Sequence, residues 1–277
     1  MKILIRGAGD IATGIALRLY RAGMQVVMTD LPAPTAIRRT VCFSQAIILG
    51  EMTVEDVTAR RAETPDQAEA LLAQGLIPVL ADPDCTCGTR LRPDALVDAI
   101  LAKRNLGTKI DDAPIVVGIG PGFTAGEDCH AVVETMRGHT LGRVIYRGSA
   151  LPNTNIPGLI GGYAGERVLR APAEGIFCQK LEIGAVVRAG DVAGEVAGQP
   201  MRCTIDGVLR GILADGTPVF RGMKAGDVDP RCKPEYCTTA SDKALAVGGG
   251  VLEAVLHLHH RNRPAEKQSQ FTGGALL

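Results

Sequence analysis

The hydrophobic period changes twice within the first thirty residues. Lys2–Ile5 is a short apolar run that reads as a buried strand, and from Ile11 apolar positions recur every four residues, at Ile11, Ile15 and Leu19, beside Ala12 and Ala16. That spacing is one face of a helix. Gly23 stops it, Val26–Thr29 reads as a second strand, and Asp30 closes the unit. Further on, Thr64, Pro65 and Gln67 form a helix start, with Thr as cap and Pro in the first turn. This helix runs to Gly75, and a buried strand follows at Leu76–Leu80. The pattern then predicts a helix from Pro93 to about Lys103, a strand at Ile115–Val117, and strands at Ala131–Thr135 and Leu141–Tyr146. A last helix, Asp242–His260, is capped by Ser241 and contains Gly248, Gly249 and Gly250 in a row. Each glycine costs a helix interior about 1 kcal/mol relative to Ala, so three together imply close backbone approach to another element or to a ligand.

Before that helix the chain repeats itself. A shift of 32 residues places Gly175, Gly184, Gly190 and Gly194 on Gly207, Gly216, Gly222 and Gly226, with Leu181 on Leu213 and Val187 on Val219. Each copy is an acid–Gly step, alternating apolar residues and a Gly-x-x-Val-x-x-Gly stretch, which is the language of short strands and glycine turns. The pattern resembles the barrel-sandwich fold of biotinyl and lipoyl carrier domains. The segment joining the copies, Ala197 to Arg202, contains no lysine, so a swinging-arm carrier is not expected.

Composition narrows the function classes. Hydrophobic residues are 46% of the 277, enough for filled cores, but aromatic residues are only 3% and Trp is absent. Stacking platforms for single-stranded nucleic acid are therefore lacking. Thirty basic residues balance thirty acidic ones, so no overall charge draws the chain to nucleic acid or anionic membrane. No apolar run approaches the roughly 20 residues of a membrane span, and no leader-like segment precedes the first strand. A cytoplasmic protein is expected, with no nucleic-acid or membrane partner. The eight cysteines are scattered without a C-x-x-C pair, which fits free thiols rather than a disulfide frame or a zinc ribbon.

The candidate chemistry begins at Gly7-Ala8-Gly9-Asp10-Ile11-Ala12, which matches the G-x-G-x-x-G/A turn. In that turn Gly7 permits the bend, Gly9 lets the backbone approach a pyrophosphate, and Ala12 allows close helix–strand packing. Asp30, about 20 residues on, stands where an acid binds a ribose 2′-hydroxyl. Arg38 and Arg39 can grip a second anionic group or simply form a solvated turn. Asp82 through Gly88 carries Cys85-Thr86-Cys87, either two ordinary loop cysteines or a pair able to hold a soft metal, sulfur or selenium. Gly120 and Gly122 lie in a glycine-rich loop of the kind whose N–H groups reach anionic ligands. Cys129, His130 and His139 follow it as candidates for thiol chemistry or proton transfer. His257, His259 and His260 at the last helix end suit the helix dipole.

The expected architecture is an N-terminal Rossmann-like doubly wound α/β domain over 1–165 and a small barrel-sandwich hybrid domain over 166–232. The last helix, 233–260, packs on the body, and 261–277 forms a flexible tail. Several blocks together resemble the YqeB-type proteins of selenium-dependent molybdenum hydroxylase systems. They are Ile5-Arg6-Gly7-Ala8-Gly9-Asp10, Ala36-Ile37-Arg38-Arg39 and Ala102-Lys103-Arg104-Asn105, followed by the run from Gly120 to Gly126 and Asp128-Cys129-His130. Glu134-Thr135 with Arg137-Gly138-His139, Gly226 to Arg231, Ser241-Asp242-Lys243 and the Gly248 to Ala254 run complete them. A more distant similarity is to XdhC-type maturation factors.

The resemblance implies an accessory role in maturation of the hydroxylase, with the hydroxylase and its maturation proteins as partners and a homo-oligomer left open. The expected ligand is a molybdenum cofactor dinucleotide or NAD(P), bound by Gly7, Gly9, Asp10, Ala12, Asp30, Arg38, Gly120 and Gly122. Cys129 and His130 are the catalytic candidates, and no metal site is expected. An NAD-dependent oxidoreductase and a non-catalytic docking scaffold stand as alternatives.

Overall fold

The computed structural model describes residues 1–262. In chain order it contains β1 (Lys2–Arg6), α1 (Asp10–Arg21), β2 (Gln25–Asp30), α2 (Gln45–Leu49), β3 (Glu51–Val54), β4 (Val57–Ala62), α3 (Pro65–Ala73), β5 (Ile77–Ala81), α4 (Gly88–Leu91) and β6 (Ala95–Asp98). Next come β7 (Val116–Ile119), β8 (Thr124–Ala125), β9 (Ala131–Val133), β10 (Val144–Ile145) and β11 (Gly148–Ser149). The last part holds β12 (Val168–Arg170), β13 (Gly175–Gln179), β14 (Val186–Val187), β15 (Val192–Val196), β16 (Gln199–Arg202), β17 (Gly207–Ile212), β18 (Pro218–Val219), β19 (Lys224–Asp229) and α5 (Asp242–Arg261).

Nine strands form one mixed sheet in the order β10-β9-β7-β6-β1-β2-β5-β4-β3. The seven inner strands are parallel, whereas β3 and β10 are antiparallel edges. Successive side chains alternate between faces. Ile3, Ile5, Val26, Met28, Val97 and Val117 join the core under α1 and α5. Leu4, Val27, Leu96, Val116 and Val132 join the core that includes Leu71 and Leu72 of α3.

This is not the doubly wound Rossmann-like domain with an appended barrel-sandwich that the sequence suggests. A doubly wound sheet carries crossover helices in both halves, but here the links from β6 to β7 and from β7 to β9 contain no helix. The face those helices would cover is closed by α5 from beyond the C-terminal sheets, so the segment 1–165 is not a closed unit. The expected helix from Pro93 to Lys103 is also absent. Ala95–Asp98 is instead a fully buried strand between β1 and β7. Short apolar runs carry no distinguishing period, and central sheet pairing decided this one.

Close approach explains the glycine run of α5. A Cβ on Gly14 of α1 would sit 2.5 Å from the Ala244 Cβ, and one on Gly248 would sit 2.8 Å from the Gly14 carbonyl oxygen. Gly250 faces the Gly142 carbonyl in the same manner, whereas Gly249 faces open space. Ser241 caps α5 by accepting the Ala244 N–H at 3.2 Å.

The two copies of the internal repeat exchange strands. One four-stranded sheet is β12-β19-β17-β14 and the other is β16-β15-β13-β18, so strands of both copies meet in each sheet, β14 with β17 and β19 in the first and β13 and β15 with β18 in the second. These are two separate sheets around a shared core that includes Phe177, Leu209 and Val228. Of the expected tail, residues 263–277 lie outside the described residues, and Arg261 is the last residue of α5.

Candidate functional site

The glycine turn after β1 is closed by its own neighbours. The Ala8 N–H donates to Asp30 Oδ2 at 2.7 Å, and the Leu31 N–H donates to Asp30 Oδ1 at 2.7 Å. The Ala8 carbonyl accepts from the Ser44 N–H at 2.9 Å, and the Thr13 hydroxyl accepts from the Phe43 N–H at 2.9 Å. Burial raises the Asp30 carboxyl, with these N–H bonds opposing. Asp30 therefore takes a turn N–H that a pyrophosphate would need, and its two oxygens are already engaged. Gly7, at φ 105°, serves a tight approach to the Ala99 carbonyl; nothing crowds Gly9, and Ala12 is core. The expectation of NAD(P) or a molybdenum cofactor dinucleotide seated in a Rossmann site on this turn is corrected accordingly.

The other predicted residues separate in the same way. Gly120 (φ 77°) and Gly122 (φ 111°) allow the loop after β7 to pack on Thr135 and on the Arg104 backbone. Cys129 is fully buried, and burial pushes its thiol up to about 11. His130 accepts the Val116 N–H on Nδ1 at 3.0 Å, and burial lowers its pKa. That bond lies at the amino end of β7, and neither Cys129 nor His130 lines the protein's large cavity.

Asp10 and Arg38 do reach a large cavity. It has a volume of about 990 Å³ and lies beyond the carboxyl ends of the central strands, between the nine-stranded sheet and the C-terminal sheets. Ligands of parallel sheets commonly bind at that edge. Eight cationic side chains line it, Arg38, Lys103, Arg137, Arg167, Arg170, Arg210, Lys224 and Lys243, against two carboxylates, Asp10 and Asp227. Such an excess in a concave surface focuses a positive potential on its contents.

The framework holding these cations is specific. Asp227 accepts from Arg167 at 2.8 Å on one oxygen and from Arg210 Nε at 3.0 Å on the other. Asp229 accepts from Arg210 at 3.0 Å and from Arg231 at 2.6 Å. Three guanidinium groups thus share two buried carboxylates, leaving positive charge in excess. Arg167 also donates to the Gly158 carbonyl at 3.0 Å, tying in the segment 153–163 that forms one wall. Glu134 is buried and accepts from the Thr135 and Met136 N–H groups at 2.6 Å each, and from Leu151 at 2.8 Å. It fixes two further lining segments.

Arg137 forms a two-point bond with Asp242 at 2.7 and 2.9 Å, and the hydrogen bond from Arg137 is the main reason Asp242 falls to about 2. Leu101 and Lys103 line the cavity with left-handed backbone, φ 62° and 63°. Strain of this kind costs about 1–3 kcal/mol per residue and gathers at functional sites.

The ammonium groups of Lys224 and Lys243 make no hydrogen bond or ion pair among the described residues. Both are held below the ordinary lysine value: Lys224, whose side chain is exposed to the cavity, by the loss of water between the cavity walls, which Asp227 and Asp10 partly offset, and half-buried Lys243 by burial, to which Arg137 adds. An anion between them would relieve that cost. The described residues contain no cluster of His, Cys, Asp and Glu able to hold a metal. Sequence reasoning found two of the ten charged lining residues. Four of the others, Lys103, Arg137, Asp227 and Lys243, lie in blocks recognised for other reasons, whereas Arg167, Arg170, Arg210 and Lys224 lie in none, and only the tertiary fold brings them together.

No family model matches this chain. It is 52% identical over 266 residues to the protein named "Uncharacterized protein YqeB" of Escherichia coli (strain K12), covering 96% of this chain and 49% of that one. The chain therefore spans about half the length of the curated relative it matches, and the resemblance to YqeB-type proteins stands at that level. Similar solved structures include the ectoine utilization protein EutE (DoeB) of Ruegeria pomeroyi, 21% identical over 30% of this chain and 28% of that one, with a TM-score of 0.22. An aspartoacylase family protein of Mesorhizobium loti is 12% identical over 53% and 60%, with a TM-score of 0.24. A succinylglutamate desuccinylase of Silicibacter sp. TM1040 is 12% identical over 82% and 84%, with a TM-score of 0.25. At such identities and scores these structures bring no site or activity to this chain.

Proposed function

We propose that this relative of YqeB is an accessory protein of a selenium-dependent molybdenum hydroxylase system, and that its basic cavity holds a phosphate-bearing small molecule. The observation that carries the ligand class is the pair of unpartnered ammonium groups, Lys224 and Lys243, among six further cations in one cavity. Charge-assisted bonds to phosphate oxygens are about twice as strong as neutral ones, and this cavity supplies many donors. The accessory role, and with it the likeness to XdhC-type factors, comes from the sequence motifs. Several of them, around Lys103, Arg137, Asp227 and Lys243, build this cavity.

Isothermal titration calorimetry with inorganic pyrophosphate tests the ligand class. Saturable binding that weakens with salt is expected for the unmodified protein, and a Lys224→Gln/Lys243→Gln variant should lose at least tenfold in affinity. Equal binding by both proteins would refute the assignment. For the accessory role, the gene is deleted in a host that makes such a hydroxylase, and hydroxylase activity is measured. Activity should fall and return with the unmodified gene but not with the double variant. Undiminished activity in the deletion would remove the role.

A further inference from the structure

We propose that Cys85 and Cys87 form a dithiol that undergoes thiol–disulfide exchange, with Cys85 as the attacking sulfur and Cys87 as the resolving one. The pair lies outside the basic cavity, on the turn between β5 and α4. Cys85 is partly exposed and Cys87 is buried behind it. The Cys85 sulfur accepts hydrogen bonds from the Cys87 thiol and from the Thr29 hydroxyl, the latter at 3.8 Å.

Asp82 braces the turn that carries both thiols. One of its oxygens accepts from the Thr86 hydroxyl at 3.1 Å and the other from the Cys87 N–H at 2.8 Å. Cys85 holds a left-handed backbone, φ 59°, which this non-glycine residue adopts at a cost. The Arg6 guanidinium donates to the Pro83 carbonyl at 3.1 Å, placing a cation beside the turn.

Among the thiols whose acidity shifts, Cys85 alone moves down. The hydrogen bond from Cys87 is the main cause, burial opposes it, and Thr29 adds to it. Cys87 moves up through the same contact and through burial. The buried Cys42, Cys129, Cys203 and Cys237 all move up, with burial as the main cause. A thiolate-prone, accessible sulfur in contact with a second thiol is the arrangement that exchange requires.

The co-reactant is a low-molecular-weight disulfide. The Cys85 thiolate attacks one of its sulfurs, the reagent S–S bond breaks, and one thiolate leaves. Cys87 then loses its proton and attacks the Cys85 sulfur, forming the Cys85–Cys87 bond and expelling the second thiolate. The protein dithiol loses two electrons and two protons, and the reagent becomes two thiols.

The test treats the reduced full chain with one equivalent of oxidised glutathione, followed by alkylation and peptide mass spectrometry. One tryptic peptide contains both cysteines, because no Lys or Arg lies between Arg61 and Arg90. In the unmodified protein that peptide should lose two hydrogens, become resistant to alkylation, and carry no glutathione. Cys87→Ser should instead retain glutathione on Cys85, and Cys85→Ser should leave Cys87 reduced. Alkylation undiminished in the unmodified protein, or glutathione retained on its Cys85, would overturn the proposal. That readout needs no substitution, so it decides the matter even if a variant fails to fold.

Discussion

Replacing Gly249 and Gly250 of α5 one at a time should move stability in opposite directions. An Ala at 249 meets nothing within 4 Å, so it gains helix propensity alone, about 1 kcal/mol. An Ala at 250 gains the same propensity but places its Cβ 2.2 Å from the Gly142 carbonyl oxygen and 2.8 Å from the Val133 side chain. The first obstacle is backbone, in a turn anchored by the Gly142 N–H bond to the Glu134 carbonyl at 2.9 Å, so it cannot swing aside as a side-chain end would. Overpacking of this kind costs about 1–3 kcal/mol. With the upper figure, Gly250→Ala is a net loss of about 2 kcal/mol, and the two variants differ by about 3 kcal/mol. At roughly 2 °C per kcal/mol for a long chain, thermal unfolding followed by circular dichroism should show Gly249→Ala about 2 °C above the parent and Gly250→Ala about 4 °C below it. Equal shifts would refute the packing of α5 on the Gly142 turn, and with it the reason Lys243 reaches the cavity.

Other consequences follow from the same geometry. Asp30→Ala leaves the Ala8 and Leu31 N–H groups without their carboxylate, which should cost about 1–3 kcal/mol in chemical denaturation; pyrophosphate affinity should be unchanged, and a loss of affinity would return the glycine turn to the site. Cys129→Ala should cost stability by leaving a small void while pyrophosphate binding stays intact, as a calorimetric titration would show. Because Lys224 and Lys243 are both held below the ordinary lysine value of 10.5, each loses its proton earlier than a free lysine as pH rises. Affinity for sulfate, whose charge is constant over that range, should therefore fall on the alkaline side before ordinary lysines titrate, and the double Gln variant should lose this dependence. Asp242 lies at about 2, below its ordinary 3.8, so the support it gives α5 through Arg137 is complete above the ordinary carboxylate value. It should drain away as pH falls toward about 2, and Asp242→Asn should remove that acid-limb difference.

The sequence by itself determined the elements whose signals are local. The four-residue period at Ile11, Ile15 and Leu19, the Thr64 and Ser241 caps and the 32-residue repeat each depend on neighbours within a few turns or on self-similarity, and each has its counterpart in the fold. Local signals also misled. Ala95–Asp98 looks helical until β1 and β7 offer it backbone partners on both sides. The Gly7–Ala12 turn looks like a nucleotide cradle until Asp30 is seen to spend its oxygens on the Ala8 and Leu31 N–H groups. What only the tertiary structure decided is the cavity. Its cations come from positions as far apart as Arg38 and Lys243, and no period or motif relates them. Charge acts through space rather than along the chain, so the site exists only once α5 has closed the sheet and β19 has brought Lys224 and Asp227 to its edge.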